Sequence, residues 1–299
     1  MYDNLSLSAI GKSPVAEDYL AATRDFLSLP ADPDDRQRQL AALQQKWRVL
    51  FSKLLAAVDT SDPDVWFALG HGYSNGWGTE RDTDQAAAWF HRAADAGHTD
   101  AMLHLAMHLR GPAGGHDFIA SIPWLTRAAS MGNASAMVHL GFAYREGNGV
   151  VTDAEEAVTW FSKAFEAGDD CAAVHAGRVT LRHLSRPKDA LFWFKKAADR
   201  GCSESFIELA MMYDNTEYDF CDPAEAVKWY HVSIAASSHV PRSLLALAQH
   251  YLDGSGVPKN NGIARLLLKR ILSDQPRIAA FRGRAKKLLD ALEAKAVTT

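Results

Sequence analysis

His104 and His108 are the residues whose spacing most resembles a chemical site. Residues four apart lie on one face of a helix, and two histidines placed in this way can bind a zinc ion. No glutamate motif and no evident third ligand accompanies the pair. We therefore expect ordinary packing or surface placement for both histidines, and the sequence predicts neither a metal nor another cofactor.

Three Gly-x-Gly pairs resemble loops that bind phosphate: Gly76 with Gly78, Gly147 with Gly149, and Gly254 with Gly256. A phosphate loop follows a strand and ends in a lysine followed directly by a serine or threonine, and none of these segments has that ending. The pairs are typical of turns between helices. No nucleophile elbow or Ser/His/Asp arrangement can be singled out either, so we predict no catalytic residues and a protein that is not an enzyme.

Cysteine usage and the amino terminus bear on the compartment. Cys171, Cys202 and Cys221 show no Cys-x-x-Cys spacing and no even count, so the sequence predicts reduced, mostly buried thiols. The first 20 residues do not resemble a secretory signal, and no apolar stretch is long enough to cross a bilayer. We expect a cytoplasmic protein that does not insert into a membrane.

The charge distribution is uneven although the net charge is only −4. Residues 64–258 contain 15 Lys and Arg against 24 Asp and Glu, whereas residues 259–299 contain 10 against 3. Binding to phosphate backbones needs a continuous basic face, so nucleic acid is not expected as the main ligand. The basic carboxyl end is either the solvated face of a helix or a contact for an acidic partner.

A repeat of about 35 residues runs through most of the chain. Its first element has a large residue, then a small one, then usually a tyrosine at positions i, i+1 and i+4, which share one helical face. The small residue allows a second helix to approach closely. The large residues are Leu69, Leu105, Leu140, Ala176, Leu209 and Leu247, and the small ones are Gly70, Ala106, Gly141, Gly177, Ala210 and Ala248.

The second element of each repeat is a helix marked by a tryptophan. The column reads Trp89, Trp124, Trp160, Trp193 and Trp229, with Leu267 in the sixth unit. Seven residues earlier an aspartate often stands where it can cap the helix, and eight residues later a glycine stands where a helix can end. Because the tryptophans recur at the repeat period, we expect them to pack in the core.

These columns resemble the SEL-one-like repeat family of tetratricopeptide-like helical proteins, and the first copy also carries Trp66-x-x-Leu69-Gly70-x-x-Tyr73. The resemblance implies an all-α, right-handed α-solenoid of about six helix pairs. The predicted repeats span 64–97, 98–132, 133–168, 169–201, 202–238 and 239–275. Residues 1–63 form an expected helical cap, with one long helix after Asp32-Pro33, and residues 276–299 an expected basic capping helix.

One face of the first helices is the predicted binding surface. It lies opposite the core and contains the positions five and one before the large column, and two and six after it. In tetratricopeptide relatives this face lines the concave groove that binds ligands. With two arginines at the rim, the candidate residues are His71, His104, His139, His175, Arg178, Glu208, Arg110 and Arg145.

The sequence leaves two interpretations of the candidate histidines. They either pack against neighbouring helices or bind an acidic or polar peptide. If they bind such a peptide as cations, affinity should fall as pH rises through about 6.5. For the function, the resemblance implies a non-catalytic adaptor or scaffold that binds a partner protein or peptide. The alternatives are a cytosolic immunity protein that neutralises a secreted bacterial toxin and, less favoured, a hydrolase built on the repeat.

Overall fold

The computed structural model describes residues 13–30, 32–236, 240–273 and 279–297, and within these ranges it contains helices and no strand. The chain divides into two compact units, Met1–Thr152 and Asp153–Thr299. The first contains α1 (Pro14–Leu27), α2 (Pro33–Ala56), α3 (Pro63–Asn75), α4 (Thr83–Asp95), α5 (Thr99–Arg110), α6 (Phe118–Ser130) and α7 (Ala134–Glu146).

The second unit continues the same alternation. It contains α8 (Ala154–Glu166), α9 (Ala172–Arg182), α10 (Pro187–Asp199), α11 (Glu204–Asp214), α12 (Pro223–Ala235), α13 (Val240–Asp253), α14 (Asn261–Ser273) and α15 (Ala279–Val297). The first helices of the six repeats are therefore α3, α5, α7, α9, α11 and α13. The second helices are α4, α6, α8, α10, α12 and α14.

The helix boundaries follow from the predicted start and stop residues. Asp82, Asp117, Asp153 and Asp222 each cap a second helix, because the side chain accepts hydrogen bonds from backbone amides of the first turn. After four of the second helices stands a glycine with a positive φ, a conformation that costs glycine little. These are Gly97, Gly132, Gly168 and Gly201.

The core is built by the predicted columns of the first helices and by one column that the sequence analysis did not choose. All six large residues of the first helices are buried. On the second helices the residue after the tryptophan position is buried in every repeat. This column consists of Phe90, Leu125, Phe161, Phe194, Tyr230 and Leu268.

The tryptophans themselves are only half-buried, so their expected place in the core is corrected. A basic side chain one turn later covers several of the indole rings. Lys163 lies 4.0 Å from the ring centroid of Trp160, and Lys196 lies 5.2 Å from that of Trp193. The tryptophan column thus lies beside the core, where aliphatic and cationic parts of basic side chains pack on it.

In the described part of the chain two α-helices precede the first repeat, where the sequence predicted one. Asp32 caps α2 as predicted, by accepting from the amides of Asp34 and Asp35. The additional helix is α1, whose Tyr19 hydroxyl donates to the carbonyl of Trp77 at 2.6 Å. Its apolar stripe is short and lies next to a segment with no repeat signal, so the pattern did not reveal it.

The carboxyl end of the second unit is closed by α15. Ala285 and Leu289 of this helix join a cluster with Leu268 and Ile271 of α14. The opposite side of α15 carries exposed basic residues, including Arg284, Lys286 and Lys287. Arg277, also part of the predicted basic helix, lies outside the described residues. None of the described helices has the length and apolar character needed to span a bilayer.

Cys171 and Cys202 form a disulfide, which corrects the expectation of three reduced thiols. Their Cα atoms are 5.4 Å apart although 31 residues separate them in the chain. Both stand at the amino ends of consecutive first helices, α9 and α11, so the repeat brings them together. Cys221 has a free thiol and is half-buried. Spacing rules that apply to a single loop do not detect pairs one repeat apart.

Candidate interaction surface on the first helices

In the second unit, the predicted binding face of the first helices is accessible to solvent. Each of its twelve positions on α9, α11 and α13 is half-buried or exposed, whereas the large and small columns of the same helices are buried. The positions are Cys171, His175, Arg178, Arg182, Glu204, Glu208, Met211, Asn215, Arg242, Ala246, Gln249 and Asp253.

Arg178 and Glu208, both predicted as binding residues, contact each other. The Nε of Arg178 donates to Oε1 of Glu208 at 2.7 Å, and its Nη1 donates to Oε2 of Glu204 at 3.2 Å. One guanidinium on α9 therefore holds two carboxylates on α11, and the group carries a net negative charge. Because Arg178 is already paired twice, it is not a free cation for an acidic peptide.

His175, the predicted histidine of the second unit, lies one turn before Arg178 on α9. Its ring centroid is 5.4 Å from that of the buried Phe161. The side chain remains half-buried. It thus supports the packing of α8 on α9 while still contributing to the accessible face.

In the first unit, His71 and His104 belong to an aromatic cluster. Their ring centroids are 5.0 Å apart, and the ring of His104 stacks on Phe90 at 5.0 Å. His71 is only 4% exposed. Burial lowers the pKa of His71 to about 4. Burial, followed by the neighbouring charges of His71 and His98, lowers the pKa of His104 to about 3.

His139, Arg110 and Arg145 lie at the carboxyl end of the first unit. Burial, with a smaller contribution from Arg110, lowers the pKa of His139 to about 4. The guanidinium of Arg110 lies 5.4 Å from the ring centroid of Phe118. Arg145 pairs with the adjacent Glu146 and lies over the ring of Phe142. Each of these two arginines thus lies against an aromatic ring of its own unit.

These pKa directions correct the expected pH dependence of binding. Burial lowers the pKa of three of the four candidate histidines to about 4 or below, so these three are neutral at pH 7. They do not act as cations that lose charge near pH 6.5. Their part in partner binding stays a prediction, whereas the ring contacts of His71 and His104 show that these two residues contribute to the packing of the first unit.

Sequence reasoning missed a second relationship between successive first helices of the first unit. The N-cap residue of one helix contacts the first-turn aspartate of the preceding one. His98 Nε2 lies 3.4 Å from Asp64 Oδ1, and Asn133 Nδ2 donates to Asp100 Oδ1 at 2.9 Å. The predicted cap residues belong to the second helices, and the repeat pattern contains no signal for contacts made by the caps of the first helices.

A polar group near the end of the array was also missed. Asp214 of α11 accepts from the hydroxyl of Tyr230 at 3.0 Å and lies 3.1 Å from Nε2 of His250. The group borders a cavity of about 530 Å³ in the second unit. No sequence motif joins these three residues, because each comes from a different helix.

Comparison with known proteins identifies the repeats. The Sel1 repeat model matches residues 67–98, 99–133, 134–169, 185–202, 208–238 and 241–271. Among curated protein sequences none matches this chain.

Two solved structures with TM-scores above 0.5 have the same fold, and a third is less similar. A Sel1 repeat protein from Oxalobacter formigenes is similar with a TM-score of 0.63 and 21% identity, over 89% of this chain and 99% of that one. The protective antigen c5321 from uropathogenic Escherichia coli is similar with a TM-score of 0.57 and 20% identity, over 86% and 68%. Immunity protein Pa5087 from Pseudomonas aeruginosa reaches a TM-score of 0.45 and 19% identity, over 75% and 83%.

The predicted all-α fold of about six helix pairs with capping helices is thereby confirmed. The family model matches six segments, and those segments cover well over half of the chain. Arrays of this kind present extended surfaces on which proteins bind. By its repeats, the chain belongs to the Sel1 repeat family.

Proposed function

We propose that this protein is a non-catalytic adaptor or scaffold that holds a partner protein or peptide on the first helices of its repeats. The observation that carries the proposal is the accessible face of α9, α11 and α13, where no position is buried. A helix face that served only the core of the unit would be apolar and covered. This face is polar and charged instead, as expected of a surface that meets a partner.

Within the proposed surface, the contacts favour the second unit as the place of binding. His175, Arg178 and Glu208 are accessible in part, whereas His71 is enclosed and neutral. We assign His71 and His104 to the support of the surface. His139, Arg110 and Arg145 belong to the proposed surface of the first unit.

A variant that tests the surface must keep an ion pair at the position of Arg178. Replacing this arginine by glutamate would leave three acidic groups together, and their repulsion would destabilise the fold itself. The double variant Arg178→Glu/Glu208→Arg keeps one pair of opposite charges across α9 and α11. It reverses the charge pattern that a partner would meet.

The experiment is affinity capture from native lysate with the parent, the double variant and a control, followed by mass spectrometry. Lys269→Glu on α14 is a suitable control, because this lysine is exposed and lies outside the face. A stoichiometric partner retained by the parent and the control but lost by the folded double variant supports the proposal. A partner retained equally by all three would contradict it.

The same captured partner separates the adaptor from the inhibitor. An adaptor leaves its partner's activity intact, whereas an immunity protein abolishes the toxicity of the protein that it binds. Adding the purified chain to the active partner therefore discriminates between the two functions. The hydrolase alternative requires that the chain cleave a substrate. If the partner's mass is unchanged after incubation with the chain, the partner is not such a substrate.

A further inference from the structure

The second unit contains a cavity near its carboxyl end that neither the repeat pattern nor the family explains. It has a volume of about 530 Å³ and is lined by residues of α11, α12, α13 and α15. This volume is in the range of sites that accept a small ligand or one or two side chains of a partner. Five of its lining residues belong to the accessible face of α11 and α13, namely Met211, Arg242, Ala246, Gln249 and Asp253.

The inner wall of the cavity carries a polar group whose hydrogen bonds are complete. His250 Nε2 lies 3.1 Å from Oδ1 of Asp214, and its Nδ1 lies 2.9 Å from the carbonyl oxygen of Ser255. Both partners are acceptors, so both ring nitrogens must carry hydrogen and the ring is an imidazolium. The hydroxyl of Tyr230 donates to the other oxygen of Asp214.

The pKa directions agree with this assignment. The hydrogen bond with Asp214 raises the pKa of His250, and the same bond lowers the pKa of Asp214. The two charges therefore neutralise each other across α11 and α13. Asp214 is consequently unavailable to pair with a cation at the mouth of the cavity.

Two arginines at the cavity have no such partner. Arg242 at the start of α13 and Arg284 on α15 are exposed, and neither forms an ion pair within the described part of the chain. The remaining carboxylate of the lining, Asp253, accepts a hydrogen bond from Gln249 at 2.8 Å. The cavity thus has three cationic side chains and two carboxylates, and the two arginines are the uncommitted ones.

We propose that this cavity binds a carboxylate side chain from an acidic segment of the protein partner, with Arg242 and Arg284 as its ion-pairing residues. The inference rests on the proposed function and adds the chemistry of the bound segment. Guanidinium groups suit this role because they donate two parallel hydrogen bonds to one carboxylate. The apolar lining, which includes Leu245 and Phe281, accommodates the aliphatic part of a glutamate side chain.

Fluorescence anisotropy with a labelled hexaglutamate peptide tests the proposal without a natural partner. The variants are Arg242→Gln and Arg284→Gln, and Lys269→Gln is the matched control, because it removes one exposed positive charge outside the cavity. We expect each arginine variant to raise Kd about tenfold, as the loss of a charged hydrogen bond would. The control should change Kd by less than about twofold.

Hexaglutamine provides the second control and should not bind, since it lacks the carboxylates. Equal weakening by all three variants would show attraction to general positive charge, and unchanged Kd in the arginine variants would exclude the cavity. Either result overturns the inference. Thermal melting verifies that the variants are folded. Because the peptide assay uses no captured partner, its failure is distinguishable from a failure of the proposed function.

Discussion

The ring of Phe194 on α10 lies directly against Gly177 on α9, so that a β-carbon added to Gly177 would stand 2.6 Å from the ring. Gly70 and Phe90 have the same relationship in the first repeat, also at 2.6 Å. In these two repeats the small column of the first helix thus meets the buried column of the second helix. This contact sets how closely the two helices of a repeat approach.

We expect Gly177→Ala to destabilise the protein by about 1 to 3 kcal/mol, the usual cost of an extra methyl group in a packed core. Alanine has a better helix propensity than glycine, which offsets about 1 kcal/mol of strain. Urea denaturation measures the net change. Gly283→Ala on α15 is the control, because its added β-carbon meets no atom within 4 Å. It should stabilise by about 0.5 to 1 kcal/mol. Stabilisation by both substitutions would contradict the close contact.

The helices and their boundaries were predictable because the same start, packing and stop residues recur in several repeats. A cap aspartate such as Asp82, a small residue such as Gly70 and a stop glycine such as Gly97 recur at fixed offsets, and the structure confirms each role. The buried column was misplaced by one residue. Trp160 and Phe161 are both large and aromatic, and a difference of 100° around the helix decides which of them faces the core.

Phe161→Ala should therefore destabilise the protein more than Trp160→Ala. Phe161 is fully buried, and its truncation should cost about 3 to 5 kcal/mol. Trp160 is half-buried and keeps Lys163 over its ring, so its truncation should cost about 1 to 3 kcal/mol. The two variants are adjacent in sequence and serve as mutual controls in urea denaturation. If Trp160→Ala were the more destabilising of the two substitutions, the tryptophan would belong to the core.

The contacts between repeats were harder to predict than the repeats themselves. Arg178 reaches Glu208, and Cys171 reaches Cys202, across intervals of about one period. A pattern of columns shows which residues share a face, but it does not show which side chains on neighbouring helices meet. The cavity residues Arg242 and Arg284 come from a repeat helix and a capping helix, so no column contains both.

Reduction of the disulfide between Cys171 and Cys202 should lower stability. The bond closes a loop between residues 31 apart, and in the chain-entropy account its loss costs about 3 to 4 kcal/mol. We expect dithiothreitol to lower the Tm of the parent. It should not lower the Tm of the double variant Cys171→Ala/Cys202→Ala, which lacks the bond. The intact mass should also rise by the two hydrogens taken up.

Cys221→Ser supplies the control for the reduction experiment, because this cysteine is outside the disulfide. The variant should keep the same response to dithiothreitol as the parent. If thiol titration of the parent without reductant finds three free thiols, Cys171 and Cys202 are not bonded under those conditions.

The ion pair of Arg178 and Glu208 should appear as a coupling energy in a double-mutant cycle. Removing either partner leaves a partly buried charge, so Arg178→Met and Glu208→Gln should each destabilise by about 1 to 2 kcal/mol. The double variant should cost less than their sum by about 1 kcal/mol. Glu204 is more exposed and its pairing should contribute less. Additive costs would mean that the two side chains do not interact in solution.

Acid should weaken the first unit through its buried histidines. The folded-state pKa of His71, about 4, lies below its ordinary value of 6.5, so the unfolded chain binds the proton more tightly. The stabilising contribution is complete above pH 6.5 and is lost as pH falls towards 4. Between pH 7 and pH 4.5 the loss through His71 alone is about 2 kcal/mol.

Asp100 opposes this trend, because burial raises its pKa to about 6 and the folded protein gains stability when that carboxyl is protonated. The measurement is therefore the change caused by one substitution. His71→Phe should reduce the difference in free energy of unfolding between pH 7 and pH 4.5 by about 2 kcal/mol. Phe67→Leu disturbs the same aromatic cluster without removing a titrating group, so it should lower stability at both pH values and leave their difference unchanged. If His71→Phe shows the same pH dependence as the parent, burial does not lower the pKa of His71, and the ring is accessible to water in the folded protein.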